Sequence, residues 1–199
     1  MRIATFLLFG MFAMVAFGQA GTPPDNAKLT ELFKVDQIAR QGKNIDWAKL
    51  RVEDEGRRQE LHKMIDAGEL RTAVDYFHAA LIYQHGQNAD DFFLAHVLAV
   101  DSMGLGNKDA RWLAAATLDR YLLTISQPQI FGTQFQSEPG KSIAWSQRTM
   151  NSSLLSDGMR TALCIVPIAE QQKILDEVNR GRPFRSTNAA GGTNPADCK

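Results

Sequence analysis

The sequence lacks the features by which most nucleic-acid-binding and cofactor-dependent chains declare themselves. Neither charge is in excess, with 22 Lys and Arg against 22 Asp and Glu, so there is no basic surplus for a phosphate backbone and no nucleic-acid partner is expected. Cysteine is scarce. Its two positions, Cys164 and Cys198, have no zinc spacing. There is no phosphate loop, no dinucleotide glycine fingerprint, no Gly-x-Ser-x-Gly elbow and no His-Glu-x-x-His, so no cofactor and no metal site is implied. His78 and His85 stand two helical turns apart, about 10.5 Å, too far to share one metal ion.

What is present begins at the amino end. Met1-Arg2 is a short positive start, Ile3 to Phe17 is an apolar run broken by Thr5 and Gly10, and Gly18-Gln19-Ala20 places small residues before a cleavage point. That order describes a secretory signal peptide over residues 1–20. The run is shorter than the roughly 20 residues needed to cross the hydrocarbon core, and no later segment is long and apolar enough to do so. The expectation is therefore a soluble exported protein, periplasmic or extracellular, with no membrane span after signal cleavage. An oxidising compartment permits Cys164 and Cys198 to pair and pin the tail to the last helices; the alternative is one buried and one loose thiol. Leu163, Ile165 and Val166 surround Cys164 with apolar groups that disfavour a catalytic thiolate.

The remaining chain reads as one mainly α domain, bundle-like, over residues 28–180, with a flexible leader at 21–27 and a flexible tail at 181–199. Asp46 suits the N-cap of a long helix to about Asp66, whose Lys49/Glu53, Arg51/Glu55, Glu53/Arg57 and Asp54/Arg58 pairs at i,i+4 read as a solvated face. A third helix, about Thr72 to His85, carries Ala73, Val74, Phe77, Ala80 and Leu81 as a core stripe. A fourth, Asp90 to Met103, is apolar nearly all round, which predicts a place in the middle of the bundle. Asn107 is expected to cap a fifth that runs to about Ser126. The period then falls to two, with Phe131, Thr133 and Phe135 on one side and Ile143 and Trp145 beyond Pro139-Gly140, predicting a short β-hairpin near 129–149 packed on the helices. Helical patterning resumes at Ser156 to Val166, and Pro167 either starts or kinks a last helix to about Asn179.

Polar groups on these apolar helices are the candidates for chemistry. Asp75, His78, Ile82 and His85 fall on one stripe of the third helix, with Gln84 beside it. Asp119 and Arg120 are adjacent on the fifth, where both faces are partly apolar, so at least one of these charges points inward and needs a partner. A cleft follows from this: His85 as catalytic acid/base, Asp119 or Asp75 orienting it, and Arg120, Gln84 and Gln134 holding a polar ligand. A satisfied polar network that only fixes helix packing explains the same spacing.

The string Ala79-Ala80-Leu81-Ile82-Tyr83-Gln84-His85-Gly86, the later Asp119-Arg120 and the segment Gln127-Pro128-Gln129-Ile130-Phe131-Gly132-Thr133-Gln134-Phe135 resemble a bacterial family known as domain of unknown function 6624. Its pattern has an alanine-rich helix ending in Gln-His, a later Asp-Arg, a Pro-Gln-x-Tyr-Gly-Thr-Gln segment and a closing arginine element, which Arg160 with Leu163 to Glu170 resembles. The likeness covers about residues 61–172. Gly86 stands where Ala is common, Phe131 replaces Tyr, and Ser126-Gln127 replaces Gly-Lys, which removes a cation from that loop. The family supplies no activity. The resemblance implies that Gln84, His85, Asp119, Arg120, Gly132, Thr133 and Gln134 share a site.

Three functions fit these observations. The first is an exported small-molecule enzyme, hydrolase-like, using the His/Asp/Arg/Gln cluster on an unidentified small polar ligand. The second is a non-enzymatic paired-helix module for a peptide or envelope partner, suggested by Ala79-Ala80, Gly86, Ala95, Ala99, Gly104 and Ala114 to Ala116. The third is a scaffold in which the cluster is packing alone. A deep polar pocket favours the first and an elongated groove the second.

Overall fold

The computed structural model describes residues 21–41, 44–137 and 145–182, and five of its seven helices start where a side chain satisfies their first amides. Asn26 accepts from the Leu29 amide to open α1 (Ala27–Ile38), and Asp46 accepts from Ala48 and Lys49 to open α2 (Trp47–Asp66). Thr72 and Asp75 form a reciprocal capping box on α3 (Ala73–Tyr83), and Asn88 accepts from Asp91 on α4 (Ala89–Gly104). Each such cap is worth about 1 kcal/mol. The fifth helix differs from expectation. Asn107 accepts from the Asp109 amide at 3.0 Å, three residues ahead of α5 (Ala110–Thr124), whose N-cap Asp109 makes no side-chain bond. Ser156 caps α6 (Asp157–Ala162), and Pro167 precedes α7 (Ile168–Asn179).

The protein is mainly α with one short antiparallel hairpin, β1 (Phe135–Ser137) on β2 (Trp145–Gln147), in which Phe135 faces Gln147 and Ser137 faces Trp145. Strand pairing begins later than the alternating pattern does. Phe131 and Thr133 are buried in a loop rather than in a pleated strand. The signal sequence, the Pro139-Gly140 turn, the 183–199 tail and the Cys164–Cys198 pairing lie outside the described residues or depend on them. No helix among the described residues is long and apolar enough to cross a membrane.

Helices α3, α4 and α5 pack in chain order and hold the main core. Ala79, Ala80, Ala95, Ala99 and Ala114 are buried where these helices meet, and their small side chains let the backbones approach while Ile82, Leu98 and Leu113 fill the remaining space. The fourth helix is not encircled, however. Its inward face is Ala95, Leu98, Ala99 and Ser102, whereas Phe93, Val97 and Val100 are exposed. Three helices in a row give the middle one two packed neighbours and leave its outer face to solvent.

The long charged helix departs further from its expected role. Leu50, Asp54, Arg57, Arg58, Leu61 and Met64 are its buried residues. The spacing is that of an inward stripe, and charged groups occupy its middle. The expected Lys49–Glu53 pair at i,i+4 stands on the solvated side at 3.7 Å, and Glu53 also lies 4.0 Å from Arg57, whereas Asp54 pairs with Arg57 and Glu55 with Arg58 at i,i+3, and Asp54, Arg57 and Arg58 are turned inward.

Candidate functional site

His85 lies immediately after the C-cap of α3, and its ring faces α1. Nδ1 stands 3.1 Å from Asp36 Oδ2 and 3.3 Å from Oδ1. A carboxylate only accepts, so in the neutral imidazole this pairing places the proton on Nδ1 and leaves Nε2 as an acceptor. Nε2 makes no hydrogen bond among the described residues and is not one of the buried unpartnered atoms, so it reaches solvent. The side chain is 19% exposed and that of Asp36 only 1%. An imidazole with a buried orienting carboxylate and an unbonded second nitrogen is an arrangement that can transfer protons.

Asp36 in turn belongs to a box of charges. Arg40 bridges the two acids, Nη1 to Asp36 Oδ1 at 2.9 Å and Nη2 to Asp54 Oδ1 at 2.7 Å. Arg57 closes the box through Nη2 to Asp54 at 2.5 Å, while its Nε lies 3.4 Å from Asp36 without hydrogen-bond geometry. Burial pushes the Asp54 carboxyl up, and the hydrogen bonds from Arg40 and Arg57 outweigh that and hold it below its ordinary value. Two acids against two arginines leave the box neutral, with His85 at its rim.

Two more arginines meet the same helix end. Arg58 Nη1 donates to the His85 carbonyl at 3.3 Å and Arg120 Nη1 to the Gln84 carbonyl at 3.2 Å. These are carbonyls at the C-terminal end of α3, where helical partners run out and the macrodipole favours cations. Arg58 is also held by Glu55 at 2.5 Å and lies 3.5 Å from Asp91. Asp91 in turn packs on Gly86, where an added Cβ would fall 2.2 Å from the Asp91 Cβ. The α3–α4 turn therefore needs glycine there, because the backbone passes so close to α4.

The structure does not bring the other expected residues to His85. Asp75 sits at the opposite end of α3, about 15 Å along the axis. There its oxygens accept from the amides of Asn26, Arg71 and Thr72 at 2.7 to 3.1 Å, and it serves as a cap. Asp119, expected to orient His85, is fully buried and spends both oxygens on a loop. Oδ1 accepts from Ile130 N and Phe131 N, and Oδ2 from Thr133 N and Thr133 Oγ1, all at 2.8 to 3.0 Å. Gln134 is likewise occupied. Its side chain donates to the Ala116 carbonyl and to Thr133 Oγ1.

Gln129, Arg160 and Gln171 complete that loop. Gln129 binds both the amide and the carbonyl of Gln134. Arg160 donates to the carbonyls of Leu155, Ile130 and Ser152, and Gln171 to those of Phe131 and Val166. All three are fully or almost fully buried, so residues 130–133 are held by side chains, between backbone bonds of Gln129 to Thr149 and Asn151 at one end and of Gln134 to Arg148 at the other. Gly132 has φ +84°, and a Cβ there would lie 2.1 Å from Gln171 Oε1. Gly132→Ala is expected to cost about 2 kcal/mol in urea unfolding, through backbone strain and displacement of a bonded amide. A loss under about 0.5 kcal/mol would show the loop to be adaptable.

The remaining histidines have other surroundings. His78 stacks on Phe33 with centroids 4.1 Å apart, and burial holds its pKa below the ordinary value. His62 meets the Tyr83 hydroxyl at 3.2 Å in an open groove of about 400 Å³ that Arg58, Lys63 and Asp91 also line. Burial pushes the Tyr83 phenol up to about 12. Three other grooves among the described residues open on helix α2 and on the Ser126–Pro128 turn, and His85 lines none of these four. No family model matches the chain, and no curated protein or solved structure is significantly similar to it.

Proposed function

We propose that this chain is an exported small-molecule enzyme of hydrolytic type whose acid/base is His85, oriented by Asp36 rather than by Asp119. The carrying observation is the His85 Nδ1 contact to Asp36 at 3.1 Å with Nε2 left to solvent. In this reading Nε2 takes a proton from water or from a ligand hydroxyl, and the imidazolium that forms is stabilised by the Asp36 carboxylate. Arg58 and Arg120 sit at the same helix end and supply the electrostatic part. The export half of the proposal rests on the Met1 to Ala20 pattern, and its test is secretion: a chain starting at Gly21 is expected outside the cytoplasm, and an unprocessed chain retained in the cytoplasm would overturn it.

Nitrogen NMR on labelled protein tests the orientation, and turnover of chromogenic esters, amides and glycosides tests the chemistry. Neutral His85 is expected as the Nδ1–H tautomer, and His85→Gln is expected to lower turnover by about 100-fold or more while the fold persists. An Nε2–H tautomer, or unchanged turnover in the variant, removes the enzyme reading. A second reading, a non-enzymatic module for a peptide or envelope partner, draws on the exposed Phe93, Val97 and Val100 of α4. Turnover lost with His85 counts against it.

A further inference from the structure

The arginines that bury their side chains in this protein differ in one respect. Arg40 and Arg57 meet Asp36 and Asp54, Arg58 meets Glu55 and Asp91, and Arg160 meets three carbonyls with Asp157 3.5 Å away. Arg120 has no carboxylate within ion-pair distance among the described residues. Its one side-chain hydrogen bond is to the Gln84 carbonyl at 3.2 Å. Nε is enclosed and unpartnered, while Nη2 has no hydrogen bond either and is not enclosed, so one edge of the guanidinium is left to an incoming group. Removal from water without a counter-ion lowers the Arg120 pKa from its ordinary value, and a cation held this way costs stability until an anion arrives.

The surroundings repeat the pattern. The Gln84 side chain, partly buried, makes no hydrogen bond among the described residues, and Nε2 of His85 is also free. A cation from α5, which keeps one edge of its guanidinium unbonded, thus meets the end of α3, where an amide side chain and a proton acceptor are also without hydrogen bonds among the described residues. The neighbouring Asp119 shows the contrast, since each of its oxygens is doubly bonded within the protein.

We infer that Arg120 is the oxyanion-binding residue of the site at the end of α3, and that the ligand is a small molecule carrying a carboxylate or a phosphate. The inference rests on the proposed site at His85 and specifies its ligand class. A planar guanidinium meets two oxygens of either group in one plane, which an ammonium does not.

Inorganic phosphate and acetate are the probes, each titrated against chloride at constant ionic strength and read by calorimetry and by the thermal midpoint. Wild type is expected to bind at least one of them saturably, and the one that binds assigns the class. Arg120→Met is expected to weaken that binding by about tenfold or more, and without anion to melt no earlier than wild type. Arg120→Lys is expected to keep the charge and still bind several-fold more weakly. His85→Gln is expected to retain the anion. Loss of turnover with retained binding separates the two roles, so failure of the acid/base reading leaves a distinct signature from failure of this one. Binding equal in Arg120→Met and wild type, no binding of either anion, or an Arg120→Met chain that melts well below wild type would each overturn the inference, the last by showing Arg120 to be a packing residue.

Discussion

Asp119→Ala is expected to cost about 3 kcal/mol or more and to open the segment from Gln129 to Gln134 before the rest of the protein unfolds. One carboxylate there answers three backbone amides and a hydroxyl, those of Phe131 and Thr133 buried with it and that of Ile130 partly so. Truncation leaves each of those donors without an acceptor, and a buried donor left unmade costs about 1 to 3 kcal/mol. Part of that is recovered because the loop can move out to water. Asp119→Asn is not conservative at this site, since its amide would point donors at donors, and a loss of about 2 kcal/mol is expected for it as well. Urea unfolding gives the magnitude, and hydrogen exchange at the amides of Ile130, Phe131 and Thr133 shows where the opening occurs. A loss below about 1 kcal/mol, with those amides still protected, would mean that something else holds the loop.

That result bears on how the sequence should be read. Asp119 stands out as a charge on a partly apolar helix, which says that it needs a partner and not which one. Its partner is a backbone segment, and backbone amides carry no sequence signature. Gln129, Arg160 and Gln171 act on the same segment through carbonyls and amides, and they are invisible for the same reason. The alternation of Phe131, Thr133 and Phe135 records burial correctly. Burial came from a loop folded onto side chains, however, and only residues 135–137 entered a strand.

The helices were legible because their signals are local. Asn26, Asp46, Thr72 and Asn88 are caps by residue type and position, and the apolar period between them is unambiguous. Asp75 is a case where a local signal was present and outweighed. Thr72 and Asp75 stand at capping-box spacing, which places Asp75 at the start of α3 and away from His85. The charged box was missed for a different reason. Asp36 continues the stripe of Leu29, Leu32 and Phe33 on α1, and Asp54 and Arg57 continue that of Leu50, Leu61 and Met64 on α2. Asking which positions a stripe occupies, rather than which residues are charged, finds all three. Pairing Asp36 with His85, 49 residues on, depends on how α1 packs against α3, and no spacing within either helix encodes that.

Removing Asp36 is the second large effect, and it separates the two functions of the box. Asp36→Ala leaves Arg40 and Arg57 to share Asp54, with the half-exposed Glu53 4.0 Å from Arg57, and takes from His85 its one side-chain partner among the described residues. Truncating one member of a buried charged set is expected to cost about 3 to 5 kcal/mol, because uncompensated guanidinium groups stay behind. His85→Ala alone should cost far less, since the two arginines still neutralise the acids. The cycle between them should return a coupling of about 1 kcal/mol, and the cycle between His85 and Asp119 should return none. Acid acts on the same box. Asp54 titrates below its ordinary value in the folded protein, so its contribution is complete above that ordinary value and is lost as pH falls through the lowered folded one. Wild-type stability should therefore fall along that limb, whereas Asp54→Asn should already lack the contribution at neutral pH. A strong His85–Asp119 coupling with none to Asp36 would return the orienting role to Asp119. Coupling to Asp36 together with a stability loss confined to the box leaves His85 itself free to act on a ligand, because the residue that would do the chemistry is then held by the fold without being needed to hold it.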